Sequence, residues 1–195
     1  MTQPEDNPVI QQLREYGLAT PVAHQIAQLG ETLRARTQES GTEFAVMVDA
    51  DSGVRIGDIL GGGTNQIDIS AHTGAMRPGR RYIHLHTHPR SSSFSDTDLG
   101  TMVTNRQIHT MVVVGADSTW YLVARTATTP PVLPSALYQV WQEAARALHP
   151  QYNLIVTRGT MTPGAAVREY SHVILEIVAS QFDFRYTRVE TRRRR

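Results

Sequence analysis

The chain has 195 residues, 40% of them apolar and 19% charged, with a net charge of +1. That balance excludes a globally disordered chain, and no apolar run approaches the ~20 residues needed to span a bilayer. There is no cysteine, which excludes disulfides, a thiolate nucleophile and a cysteine-type zinc site, so any metal must be held by His, Asp or Glu.

Every basic residue is arginine, and the chain ends on Arg192, Arg193, Arg194 and Arg195. Such a tail is either a solvated terminus or a patch for nucleic acid or an acidic partner. The opening MTQPEDNPVIQQL lacks the basic and apolar regions of a signal peptide. The expected location is cytoplasmic, with no membrane partner.

In chain order, Asn7-Pro8 opens a short helix with Val9, Ile10 and Leu13 inward. Thr20-Pro21 reads as a cap and first turn. Val22, Ile26, Leu29 and Leu33 then mark one face of an amphipathic helix reaching about Thr37. EFAVMVDADSGVRIGDIL reads as strand, turn, strand. The glycine-rich GGGTNQ lacks a phosphate-binding fingerprint and reads as a loop bordering a groove, before a short strand at Ile67 to Ile69. SAHTGAMRPGRR reads as a loop, and RYIHLH as a strand with Ile83 and Leu85 on one side and histidines on the other.

Ser95 opens the next helix, with Leu99, Met102 and Val103 inward; IHTMVVVGADSTWYLVAR is a hairpin. TATTPPVLPS marks a boundary. Two helices are predicted beyond it, Ser135 to Leu148 and one opened by Thr162-Pro163. The fold class expected is α/β, a mixed sheet with flanking helices and a helical C-terminal extension. The divisions are 1–41 for N-terminal helices packed on the core, 42–127 for the core, and 128–195 for a linker and helical part ending in the basic tail.

The chemistry concentrates in HLHTHPRSSSFSDTD. Alternate strand residues share a face about 7 Å apart, so His86 and His88 can converge on one ion if the strand end curves. Asp98 returns at the first turn of the next helix. Two imidazoles and one carboxylate, with an open fourth position, make the ligand set of a catalytic rather than a structural zinc. A general base near the open position is then needed. The same residues also fit a plainer pattern. Ser95-x-x-Asp98 is a helix cap, and histidines on a wet strand need no function.

His86-Thr87-His88-Pro89, a short spacer and Ser95-x-x-Asp98 resemble the metal motif of the JAMM family, also called JAB or MPN+ metalloproteases. The likeness spans about Thr42 to Arg125. Its spacer is shorter than in the eukaryotic deubiquitinating members and closer to the bacterial branch, which includes RadC-type proteins. The resemblance implies an MPN/JAMM-like (cytidine-deaminase-like) fold and an isopeptidase or peptidase. It implies zinc on His86, His88 and Asp98, with a bound water. Glu43, at the head of an early strand, would be the general base, and Ser95 the oxyanion donor. The substrate implied is a protein or peptide, with ubiquitin-like or sulfur-carrier-like tails as candidates, and a homodimer is allowed. The alternative is an accessory, RadC-like binding module, with nucleic acid as its ligand. His84 reads as a wall of the site, and Asp96 as a charge at the helix start. His72 and His109 read as a loop and a packed histidine, and Trp120, Tyr121 and Trp141 as structural.

Overall fold

The structure is a computed structural model that describes residues 7–191. The terminal arginines Arg192 to Arg195 lie outside the described residues. Its elements, in order, are α1 (Pro8–Glu15), α2 (Thr20–Ser40), β1 (Phe44–Asp49), β2 (Arg55–Gly61), α3 (Ser70–Ala75), β3 (Tyr82–His88), α4 (Asp96–Thr104), β4 (Ile108–Gly115), β5 (Thr119–Arg125), α5 (Pro134–Thr157), α6 (Pro163–Phe182) and β6 (Phe184–Glu190). The fold is mixed α/β, as expected. Six strands form one sheet in the order β2-β1-β3-β4-β5-β6. Only the β3–β4 pair is parallel, joined by α4; the others are antiparallel.

Each face of the sheet has its own core. Val46, Val48, Ile83, Leu85, Val112 and Leu122 pack beneath α1 and α2. Met47, Met111, Val113, Tyr121 and Val123 face the side chains of α4, α5 and α6. The strand period of two therefore sends His84, His86 and His88 to the second face, under the helices. Register ties that face together. One row of cross-strand neighbours runs Met47, His84, Met111, Val123, Tyr186, and the next runs Ala45, His86, Val113, Tyr121, Arg188.

Several local expectations change. Asn7 caps α1, its side chain accepting from Val9 N–H, as the sequence suggests. Thr20 is not a cap, because α2 starts on Thr20 itself and its N-cap is Ala19, with no side-chain bond. That helix runs past Thr37 to Ser40 and stops at Gly41, whose left-handed φ of 71° ends it. No strand forms at Ile67 to Ile69. Asp68 Oδ1 instead accepts from Ser70 N–H at 2.8 Å and starts α3, inside a stretch read as loop. α5 continues through Pro150 to Thr157, nine residues beyond Leu148. Packing accompanies the longer helix: α6 lies along it, and the Tyr170 ring meets His149 and Tyr152 of the extension edge-on, with centroids 6.5 Å and 5.4 Å apart.

The largest change is at the C-terminal end. It is not wholly helical. Asp183 turns the chain at a left-handed φ of 54°, and its carbonyl accepts from Thr129 Oγ1 at 2.7 Å. Phe184–Glu190 then pairs antiparallel with β5 as the edge of the sheet. FRYTRVE alternates in the manner of a strand, but its helical approach through Phe182 masks the change of period. No helix among the described residues is long and apolar enough to cross a membrane.

Candidate metal centre

β3 delivers His86 and His88, and the first turn of α4 delivers Asp98. Their ligand atoms all lie within 4.8 Å of one another. Nε2 of His86 is 3.2 Å from Asp98 Oδ1, and Nε2 of His88 is 3.6 Å from Asp98 Oδ2. A tetrahedral ion with bonds of about 2.0–2.1 Å holds its ligands about 3.3 Å apart. Both separations from Asp98 are near that value.

Hydrogen bonding supports the same fit. His86 is fully buried, and neither of its ring nitrogens has a hydrogen-bond partner, since the short approach to Asp98 lacks bonding geometry. Buried unpaired polar atoms are rare and costly, and an ion against Nε2 would satisfy one. His88 is oriented from behind. Its Nδ1 lies 3.0 Å from the Ser92 carbonyl and 3.2 Å from Ser92 Oγ. A carbonyl only accepts, so Nδ1 carries the hydrogen and Nε2 keeps its lone pair for the centre. Burial lowers His88 to about 4, which keeps it neutral and able to ligate.

Asp98 is set by the capping box that the sequence shows. Ser95 N–H and Ser95 Oγ–H each donate to Asp98 Oδ2 at 2.7 Å, and Asp98 N–H donates to Ser95 Oγ at 3.1 Å. Burial opposes ionisation, but the imidazoles of His86 and His88 and the Ser95 N–H hold the carboxyl far below its usual range. The cap and the ligand are therefore one structure. Helix α4 needs the Ser95–Asp98 bonds to start, and those bonds fix Asp98 with Oδ1 toward His86.

Glu43 precedes β1 and is buried. It lines a cleft of about 370 Å³ together with His84, His88, Ser95, Asp98 and Met111. Burial raises its carboxyl to about 7, with His86 opposing and Asp98 reinforcing the rise. Its backbone is anchored on both sides. Glu43 N–H donates to Gly63 O at 2.8 Å, and Gly62 N–H donates to Glu43 O at 2.9 Å. The glycine-rich segment thus holds the Glu43 backbone just ahead of β1, and its Thr64, Asn65, Gln66 and Ile67 border the cleft.

His84 stacks on His86, with ring centroids 4.8 Å apart and planes 19° apart. Burial holds it well below its usual pKa. It belongs to the cleft lining and stands outside the ligand cluster. Asp96 sits in the first turn of α4, accepting from Thr97 N–H. His72 is buried on α3 with Nε2 at 2.8 Å from the Asp58 carbonyl, and it is not part of the cleft lining. Trp120 and Tyr121 are core residues.

Sequence reasoning missed four contributors. Ser92 was one of an undifferentiated serine run. Thr87, between the two histidines, points to the opposite face and bonds Thr37 and Phe44. Ser93 and the β6 residue Tyr186 join across 93 positions, which no local pattern reveals. Comparisons with protein-family models, curated proteins and solved structures found no match for this chain.

Proposed function

We propose that this chain is a zinc-dependent metallopeptidase or isopeptidase of the JAMM type. The observation that carries the reading is the convergence of His86, His88 and Asp98 at ligand spacing beside a cleft that also holds Glu43. Two imidazoles and one carboxylate suit zinc. Bound there, zinc supplies Lewis acidity and eases the ionisation of water.

The chain's own residues do the rest. Glu43, with a carboxyl near 7, accepts a proton from the attacking water and returns it to the leaving amine; a base works best with a pKa near the operating pH. Ser95 has one hydroxyl hydrogen, which it donates to Asp98. Turned toward a developing oxyanion, it still leaves Asp98 the Ser95 N–H at 2.7 Å. The aspartate therefore stays oriented while the hydroxyl changes partner. His84 and Met111, both buried, line the cleft.

The cleft is large enough for a short extended stretch of a protein or peptide chain. A ubiquitin-like or sulfur-carrier-like tail is the substrate class that the resemblance to JAMM enzymes favours.

Two measurements test the reading. Metal analysis should find one zinc per chain in the wild type and none in His88→Ala. Glu43→Gln should keep the zinc and lose cleavage in a screen of peptides and ubiquitin-like conjugates. Equal, sub-stoichiometric zinc in wild type and His88→Ala would sink the metal site. Zinc binding with no cleavage of any conjugate would leave the accessory binding module as the better reading.

A further inference from the structure

The loop between β3 and α4 is fastened from β5 and the turn before it, and from α6 and β6. The Ser91 carbonyl accepts from Tyr121 Oη at 3.0 Å, and Ser91 Oγ accepts from Asp117 N–H at 3.0 Å. Ser93 N–H donates to Ser171 Oγ on α6 at 3.0 Å. Ser93 Oγ meets Tyr186 Oη on β6 at 2.8 Å. Behind it, Tyr186 Oη meets His172 Nδ1 at 2.9 Å, and His172 Nε2 lies 3.5 Å from Glu176 Oε1.

These four polar side chains form a line with a sense. The Glu176 carboxylate only accepts, so it favours the hydrogen on His172 Nε2. Nδ1 is then the acceptor, and Tyr186 donates to it. The tyrosine oxygen in turn accepts from the Ser93 hydroxyl. Burial pushes the Tyr186 phenol up, so it stays protonated and remains a donor. Ser93 is itself buried, at 2% exposure. The line ends one residue from Ser92, whose carbonyl and hydroxyl meet His88 Nδ1.

We infer that Tyr186, backed by His172, is a positioning residue for the metal centre: through Ser93 it holds the serine loop so that Ser92 presents its carbonyl to His88. This rests on the metal reading of His86, His88 and Asp98. The loop has no helix or strand of its own to fix Ser92. One backbone bond, Ser91 N–H to the His88 carbonyl, turns the loop, and beyond it Ser93 is held by two bonds, its N–H to Ser171 Oγ and its hydroxyl to Tyr186 Oη. Losing the Tyr186 bond leaves the Ser93 hydroxyl buried without its acceptor and the Ser92–Ser93 peptide held by the Ser171 bond alone, so the Ser92 carbonyl is aimed less firmly at His88. His88 then loses the partner that fixes its tautomer. Partners behind metal-bound histidines are worth about 10–100-fold in metal affinity.

The test uses the full chain, with zinc as the probe in competition with a chromogenic chelator. Tyr186→Phe keeps the ring and deletes the hydroxyl. It should weaken zinc binding about tenfold or more. Ser93→Ala removes the other half of the same bond and should do likewise, which serves if the tyrosine variant folds poorly. Tyr170→Phe is the control. It deletes a hydroxyl bond between α6 and α5 that does not reach the loop, and its zinc affinity should equal wild type. Nitrogen NMR of the metal-free protein should show His88 with its hydrogen on Nδ1 in wild type and a tautomer mixture in Tyr186→Phe. Wild-type zinc affinity in both Tyr186→Phe and Ser93→Ala overturns the inference alone, as does an equal loss in Tyr170→Phe. Failure of the wild type to bind zinc overturns the metal reading and this inference with it.

Discussion

Thr87 Oγ1 accepts the Phe44 N–H at 3.0 Å, so the residue between His86 and His88 holds the start of the strand that follows Glu43. The same hydroxyl meets Thr37 Oγ1 of α2 at 2.5 Å. Thr87 faces away from the metal side, since neighbours in a strand point to opposite faces. It therefore links three pieces: the metal strand, the helix behind the sheet, and the strand that positions the candidate base. Thr87→Val keeps the shape and deletes the hydroxyl. Two buried or half-buried groups lose a partner, which costs about 1–3 kcal/mol. The expected result is a lower urea midpoint with zinc stoichiometry unchanged, because neither ligand histidine is touched. An unchanged midpoint would show that Thr87 carries no such link.

Gly30 lies on α2 where the helix crosses Trp120. A Cβ built there would stand 2.1 Å from the Trp120 ring. Alanine is ordinarily better than glycine in a helix by about 1 kcal/mol. At this crossing the clash with a ring that is 1% exposed should win, since overpacking a core costs about 1–3 kcal/mol. Gly30→Ala is expected to lower the melting temperature. A raised melting temperature would mean that α2 slides on the sheet without penalty.

The His86, His88 and Asp98 cluster was readable because strand alternation and helix capping are local rules. His86 and His88 share a face by period two, and Ser95-x-x-Asp98 is a cap whatever else it does. The same locality explains the failures. Thr20 resembles a cap, but the helix starts one residue earlier, on Thr20 itself, and the Thr20 side chain makes no capping bond. β6 was hidden because a helix and a strand meet at Asp183 without a glycine or proline to mark the junction. The brace from Tyr186 to Ser93 depends on β6 pairing with β5, and long-range pairing leaves no trace in a window of ten residues. Glu43 was found only by its resemblance-based role. Its burial, and the Gly62–Gly63 anchors that cause it, come from the β1–β2 pairing.

Asp49 offers a pH test away from the centre. Burial pushes its carboxyl up, but hydrogen bonds from Ser52, Arg80 and Asp51 outweigh that and hold it at about 2. Arg80 engages both oxygens, at 2.9 Å from Oδ2 and 2.8 Å from Oδ1. A lowered pKa means that the native state binds fewer protons than the unfolded chain in this range. The stabilisation is thus complete above the unfolded value of about 4 and is lost as pH falls toward 2. Unfolding by urea should show wild type losing more stability than Asp49→Asn across that window. Parallel losses in the two proteins would remove Asp49 as the cause.

Glu43 carries the opposite sign. Burial raises its carboxyl from 4.5 to about 7. Between those values the metal-free native state keeps a proton that the unfolded chain has released. Its stability therefore falls as pH rises through the window. Glu43→Gln cannot ionise and escapes the penalty. The metal-free variant should gain on wild type by about 2 kcal/mol on moving from about pH 5 to about pH 8. Zinc on the neighbouring ligands places positive charge beside the carboxylate and lowers its pKa. Adding zinc should then shrink the difference between the two proteins. A gap that does not change with pH would show that Glu43 ionises as freely as an exposed glutamate, and would remove the ground for assigning it the base. A gap that changes with pH but ignores zinc would keep the burial and separate Glu43 from the metal.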